Sequence, residues 1–189
     1  MTDLRAERAL AELREGRPLT AVRILDELGL GHLAAHDDVV HVPITFRHCE
    51  LNTVFGSLVL FEAPVTFEHC MVGEAIFHAS YFLGGATFTG CTFTGPVTFD
   101  SGGHNDPPTA FVLEECTFQA FVDFFDVWFP GPLIVRDCHF AEGTNLLLYT
   151  EEPFGTTAEF PSRIYGNTGT LNCQGSHWSG DDADSPRSP

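Results

Sequence analysis

Ala86-Thr-Phe-Thr-Gly-Cys91-Thr-Phe-Thr-Gly95 is one five-residue phrase said twice. The unit is a small apolar residue, a polar one, a Phe, then two small or polar residues. Ala75-Ile-Phe-His-Ala and Ser80-Tyr-Phe-Leu-Gly precede it, and Cys116-Thr-Phe-Gln-Ala and Cys138-His-Phe-Ala-Glu continue it. A longer period runs over this short one. Cys49, Cys70, Cys91, Cys116 and Cys138 follow one another at steps of 21, 21, 25 and 22 residues. The lead-in returns with them: Ile44-Thr-Phe-Arg-His-Cys49, Val65-Thr-Phe-Glu-His-Cys70, Ala86-Thr-Phe-Thr-Gly-Cys91. A period of this length predicts a repeat architecture, in which each repeat buries its apolar face only against its neighbours.

The chain divides into coils at Ile44, Val65, Ala86, Phe111, Leu133 and Ala158. Stacked coils lie about 4.8 Å apart, the spacing of paired strands. Residues one period apart therefore form columns. Phe46, Phe67 and Phe88 make one, and Leu51, Val72, Phe93, Phe118 and Phe140 another. Burial at about 2–3 kcal/mol per Phe makes these columns the main stabilising contribution.

With these units the chain resembles the pentapeptide-repeat proteins over residues 44 to about 165. The resemblance implies an all-β solenoid, a right-handed quadrilateral β-helix with four five-residue faces per turn. Four such units fall one or two residues short of the 21- and 22-residue coils, which then need an extra residue at a corner. The longer coils carry loops, placed at Ser101–Pro108 and Thr150–Thr156.

Residues 1–40 read as an N-terminal helical cap over the open edge of the first coil. Leu4, Ala9, Leu10 and Leu13 form an apolar stripe, and Gly16 and Pro18 break it. Thr20–Leu28 reads as a second short helix, followed by a connector whose His32 and His36 read as surface or capping residues. Residues 41–175 form the β-helix domain. Residues 176–189 form a polar tail, expected to be disordered.

The bulk properties bound the function. There are 26 acidic residues against 9 basic ones, all Arg, for a net charge of −17. Nucleic acids and anionic membranes are polyanions, so direct binding to either is disfavoured and a cationic protein surface is favoured. Met1-Thr-Asp-Leu-Arg-Ala-Glu-Arg8 contains no apolar signal core, and no stretch approaches the roughly 20 apolar residues of a membrane span. Six Cys then read as reduced thiols, and the expected location is cytoplasmic.

No catalytic motif stands out, and the candidate sites have plainer readings beside them. The Cys column would fill small inward slots, as Ala75 and Ala86 do; a straight ladder of one residue type does not converge tetrahedrally on zinc. His48, His69, Gly90, Glu115 and Asp137 form an outward column in which Gly90 interrupts any metal or pH-sensing set. The Thr45, Thr66, Thr87 column could suggest ice binding, but Arg47 and Glu68 stand where further Thr would be needed. Glu114, Glu115, Asp123 and Asp126 could pair as carboxylates in a sugar-cleaving β-helix, although such enzymes use longer coils. The Ser101–Pro108 loop reads as a corner insertion, not a phosphate cradle. No metal and no cofactor are expected.

The charge is the feature closest to a function. Between residues 44 and 150, twelve acids face only Arg47 and Arg136. The surface candidates for partner binding are Glu68, Glu114, Glu115, Asp123, Asp126 and Asp137. Some members of the resembled family mimic DNA and protect a type II topoisomerase, which would make DNA gyrase the partner and place the chain in antibiotic resistance. The alternative is a generic interaction scaffold in a biosynthetic or defence system, with a β-helix enzyme least favoured. A homodimer is one assembly open to it.

Overall fold

A computed structural model describes residues 1–34, 38–147, 157–158 and 162–173. Nearly all strand pairing in it is parallel and joins one coil to the next, so the chain is a β-solenoid of about six turns with one N-terminal helix. The pairing resolves four faces. The first is a seven-stranded ladder through Leu19–Thr20, Ile44–Arg47, Val65–Glu68, Ala86–Thr89, Phe111–Glu114, Leu133–Arg136 and Arg163–Tyr165. The second runs through Glu50, Met71, Thr92, Thr117, His139 and Thr168. The third joins Val54, Ala75, Val97 and Val122. The fourth runs Leu60, Tyr81, Gly103, Trp128.

The five-residue phrase explains the core. Successive side chains of a strand point to opposite sides, so the first and third residues of each phrase turn inward together. Ile44 and Phe46, Cys49 and Leu51, and Ala86 and Phe88 are all buried. The Phe columns form as expected. Phe67 and Phe88 are in register with ring centroids 5.1 Å apart, and Phe93, Phe118 and Phe140 stack at 4.9 Å per step. A further column on the third face, Phe77, Phe99 and Phe124, stacks at 5.6 and 5.2 Å.

Each corner between the first and second faces needs a left-handed backbone. Ala21, His48, His69, Gly90, Glu115, Asp137 and Gly166 all have φ between 50° and 70°. The next residue in the middle five coils is the column Cys. Its Sγ donates to the carbonyl two residues earlier, at 3.3 Å from Cys49 to Arg47 and 3.4 Å from Cys91 to Thr89. The thiols are therefore small corner donors as well as core. All five are free and buried.

The N-terminal segment differs from expectation at one point. The helix Ala6–Arg14 forms and buries Ala9, Leu10 and Leu13. Val22–Gly29, however, is a strand, not a second helix, and it pairs with Glu50–Phe55. A bulge between Ile24 and Glu27 separates buried Ile24 from buried Leu28 by four residues, which imitates a helical turn; the next coil uses Leu51 and Val54, three apart. The bulge also places Asp26 at the start of the helix, where its carboxylate accepts from the Ala6 N–H and meets Arg5 at 2.9 Å. The first coil thus begins inside residues 1–40.

Two further differences concern coil length. Ile134 pairs with Arg163, so the last coil starts at Ser162; Ala158 pairs instead with Phe129 on the fourth face. The insertion at 101–108 is real but displaced: Gly103 to Phe111 spans eight residues, where Tyr81 to Ala86 and Trp128 to Leu133 span five. Buried Asn105 pins it, donating to the Thr109 and Pro132 carbonyls and accepting from the Gly131 N–H. His36, the Thr150–Thr156 loop and the tail from residue 176 lie outside the described residues.

Candidate interaction surface

The acidic candidates do not form one patch. Glu68 and Glu114 lie on the first face and are each matched by an Arg one coil away, Glu68 to Arg47 at 2.8 Å and Glu114 to Arg136. Register makes these pairs, because Arg47 stacks on Glu68 and Glu114 on Arg136. Glu50 meets Arg23 the same way, and His41 and His78 meet Glu62 and Asp100 at 2.8 and 2.9 Å. Pairs at a solvated surface add little stability, because water screens them and holding two long side chains costs entropy. Their effect here is to occupy Arg23, Arg47 and Arg136.

Asp123 is not a surface acid. It is buried, and its Oδ1 accepts from the Phe125 N–H at 2.9 Å and from Asn145 Nδ2 at 2.7 Å. Asn145 Oδ1 accepts in turn from the Phe124 N–H. Where the thiols donate to backbone carbonyls, this carboxylate accepts from a backbone N–H and from Asn145, so it ties two coils together and is turned away from any partner. Val122 and Phe124 on either side of it are buried in the core, and the Asp123 side chain turns back to bond the chain two residues on.

Glu115, Asp126 and Asp137 remain exposed and form no ion pair among the described residues. Glu115 and Asp137 are adjacent in the left-handed corner column; Asp126 occupies a second such corner with Leu58, Ala79 and Ser101. The four carboxylates that might have formed a hydrolytic pair are thus spread over different faces. In the corner column, the rings of His48 and His69 lie parallel with centroids 5.3 Å apart, and Gly90 ends the stack. Among the described residues no three His, Cys, Asp or Glu converge as a metal site would require. The side-chain bond to Cys70, and then burial, hold the Cys49 thiol well above the usual range; bonds to Cys138 and Cys91, then burial, do the same for Cys116.

The fourth face carries what the sequence reading missed. Its outward row is Val39, Leu60, Tyr81, His104 and Trp128, without a charge in the row itself. Tyr81 and Trp128 are 37% and 39% exposed, and Leu58 beside them is 69% exposed. The signal was present in the phrase. The second position, polar in Cys91-Thr-Phe, is apolar in Val59-Leu-Phe, Ser80-Tyr-Phe and Val127-Trp-Phe.

Comparison with family models, with curated proteins and with solved structures finds no match to this chain. No helix of the described residues is long and apolar enough to cross a membrane.

Proposed function

We propose that this β-solenoid is a non-enzymatic interaction module whose partner is a protein with a basic surface. One observation carries the reading. The coil-to-coil pairs occupy Arg23, Arg47 and Arg136, while Glu115, Asp126 and Asp137 stay exposed without a cation of their own among the described residues. The negative field of a chain at −17 is then available to an outside partner, and it would speed association and set orientation. The binding reading fits the commitments of Asp123, bonded to the Phe125 N–H and Asn145, and of Glu114, paired with Arg136.

The specific version is a DNA mimic that protects a type II topoisomerase such as DNA gyrase. The twelve-to-two imbalance over residues 44–150 and the resemblance to pentapeptide-repeat proteins favour it. The breaks that Arg47 and Arg136 make in the acidic rows favour the broader scaffold reading, in a biosynthetic or defence setting. A gyrase supercoiling assay with and without inhibitor, beside pull-down on basic proteins at rising salt, separates the two. Binding that weakens steeply with salt, and that Glu115→Lys, Asp126→Lys and Asp137→Lys together abolish in a folded protein, supports a basic partner. Absence of any effect on gyrase removes the topoisomerase version. Salt-insensitive binding removes both.

A further inference from the structure

The fourth face is interrupted where it matters most. By register Phe82 and Phe129 flank position 104, yet His104 does not enter the core. Gly103 takes φ +90° and is itself buried, and an added Cβ on it would meet the Phe129 ring at 3.1 Å. A left-handed glycine thus reverses the in-out alternation for one step. His104 is thrown outward between Tyr81 and Trp128, with centroids 4.3 and 4.9 Å away and both contacts edge-to-face. The core loses a Phe at this point, and Phe111 replaces it. Its ring lies 5.5 Å from Phe82, 5.2 Å from Phe99 and 5.0 Å from Phe129.

Core packing alone does not call for an imidazole held between two half-exposed rings. Trp128 and Tyr81 are partly exposed in a strip that Leu60 and Leu58 extend. An apolar strip on an otherwise charged surface marks an interaction site. Asp126 borders the same strip: it stands two residues before Trp128, in the left-handed corner row that Leu58 also occupies two residues before Leu60. Burial pushes His104 below the ordinary His value and keeps it from repelling a cation. Its Nδ1 is buried, and among the described residues the only hydrogen-bonding influence on the ring is the backbone of Gly102.

Resting on the basic-partner reading above, we propose that the Tyr81–His104–Trp128 face, bordered by Asp126, is the docking surface for an arginine-bearing apolar segment of a protein partner. A guanidinium stacks on an indole or phenol face and is attracted by the ring quadrupole. Asp126 supplies the counter-charge, and Leu58 and Leu60 receive the neighbouring apolar side chains. Trp, Tyr and Arg are the residues that dominate binding energy at interfaces.

The test uses the full chain with Trp178→Phe, which leaves Trp128 as its single Trp. The probe is an acetylated octapeptide alternating Leu and Arg; the control replaces each Arg with citrulline, of nearly the same shape but uncharged. The expected result is a saturable change in Trp128 fluorescence with the Arg peptide and at least about tenfold weaker binding of the citrulline peptide. A Tyr81→Ala/His104→Ala variant should lose about tenfold, with circular dichroism and melting temperature unchanged. Equal affinity of that variant for the Arg peptide by calorimetry would overturn this face as the site and leave the basic-partner reading standing. Equal binding of Arg and citrulline peptides would overturn the cation. Absence of binding by both peptides would overturn the docking site, and the partner reading would then rest on the salt test alone.

Discussion

The imidazole of His69 occupies the space a Cβ on Gly90 would need, its Cε1 lying 2.7 Å from that position. The two residues are neighbours in the left-handed corner column, where Ala21 also stands with φ 54°. The backbone conformation therefore admits a methyl group elsewhere in the column, and it is the ring above that makes glycine necessary here.

Gly90→Ala should destabilise the fold by about 1–2 kcal/mol, and His69→Ala should recover more than half of that loss. Denaturant titration of the two single variants and the double variant gives the coupling. A coupling near zero would mean that the ring moves aside at no cost.

The Phe columns predict a sharp contrast between adjacent residues. Phe88 is fully buried in contact with Phe67, Phe93, Phe99 and Phe111, whereas Thr87 points outward in the same strand. Phe88→Ala should cost about 3–5 kcal/mol and Thr87→Ala under about 1. Equal unfolding midpoints would contradict the register.

The thiol ladder predicts a pH dependence. An unfolded thiol titrates near the ordinary value of 9.0, while folded Cys49 and Cys116 are held above it. At Cys49 and Cys116 only the unfolded chain gains by ionising, so their contribution is complete below about pH 9 and declines as pH rises beyond it. Cys91 and Cys138, held below the ordinary value chiefly by the bond with Cys116, add stability as pH rises to about 9 and no part of the decline. Melting temperature should fall between pH 9 and 11, and Cys116→Ala, placing Ala in a slot of the kind Ala75 and Ala86 fill, should reduce the fall. Thiol reagents should label the five buried sulfurs slowly until denaturant is added; rapid native labelling would place the column in solvent.

Asn105 predicts a cost far from any Phe. It is buried and makes three hydrogen bonds from the inserted loop to its own end and to the next coil. Asn105→Ala leaves the Pro132 carbonyl and the Gly131 N–H without these partners and should cost about 2–3 kcal/mol. Hydrogen exchange should locate the loss at residues 104–111 and 131–132. Loss of protection spread over the whole rod would mean the loop is not an independent unit.

The solenoid was legible because its signal is repeated. A Phe every period, with a small residue two places before it, fixes which side of each strand faces in. Single corners were not legible. The Ile24–Leu28 spacing satisfies a helix and a bulged strand equally well, and only the pairing of Val22–Gly29 with Glu50–Phe55 decides between them. Asp123 belongs by composition to the acidic surface, and only Asn145, 22 residues on, reveals that it is tied inside. The aromatic face was written in Tyr81 and Trp128, but Gly103 hid the middle of the row by reversing one step of the alternation.

The eight-residue passage from Gly103 to Phe111 separates two quantities that a solenoid normally binds together, the length of a coil and the alignment of its ladders. Three residues more than its neighbours use leave Ala86 aligned with Phe111 and Phe111 with Leu133. The passage behaves as an expansion joint. Added length is absorbed outside the stack, Asn105 bolts the slack to the coil beyond, and the columns continue without a phase error. A chain built this way can change what it displays on one face without renegotiating the rest of its core.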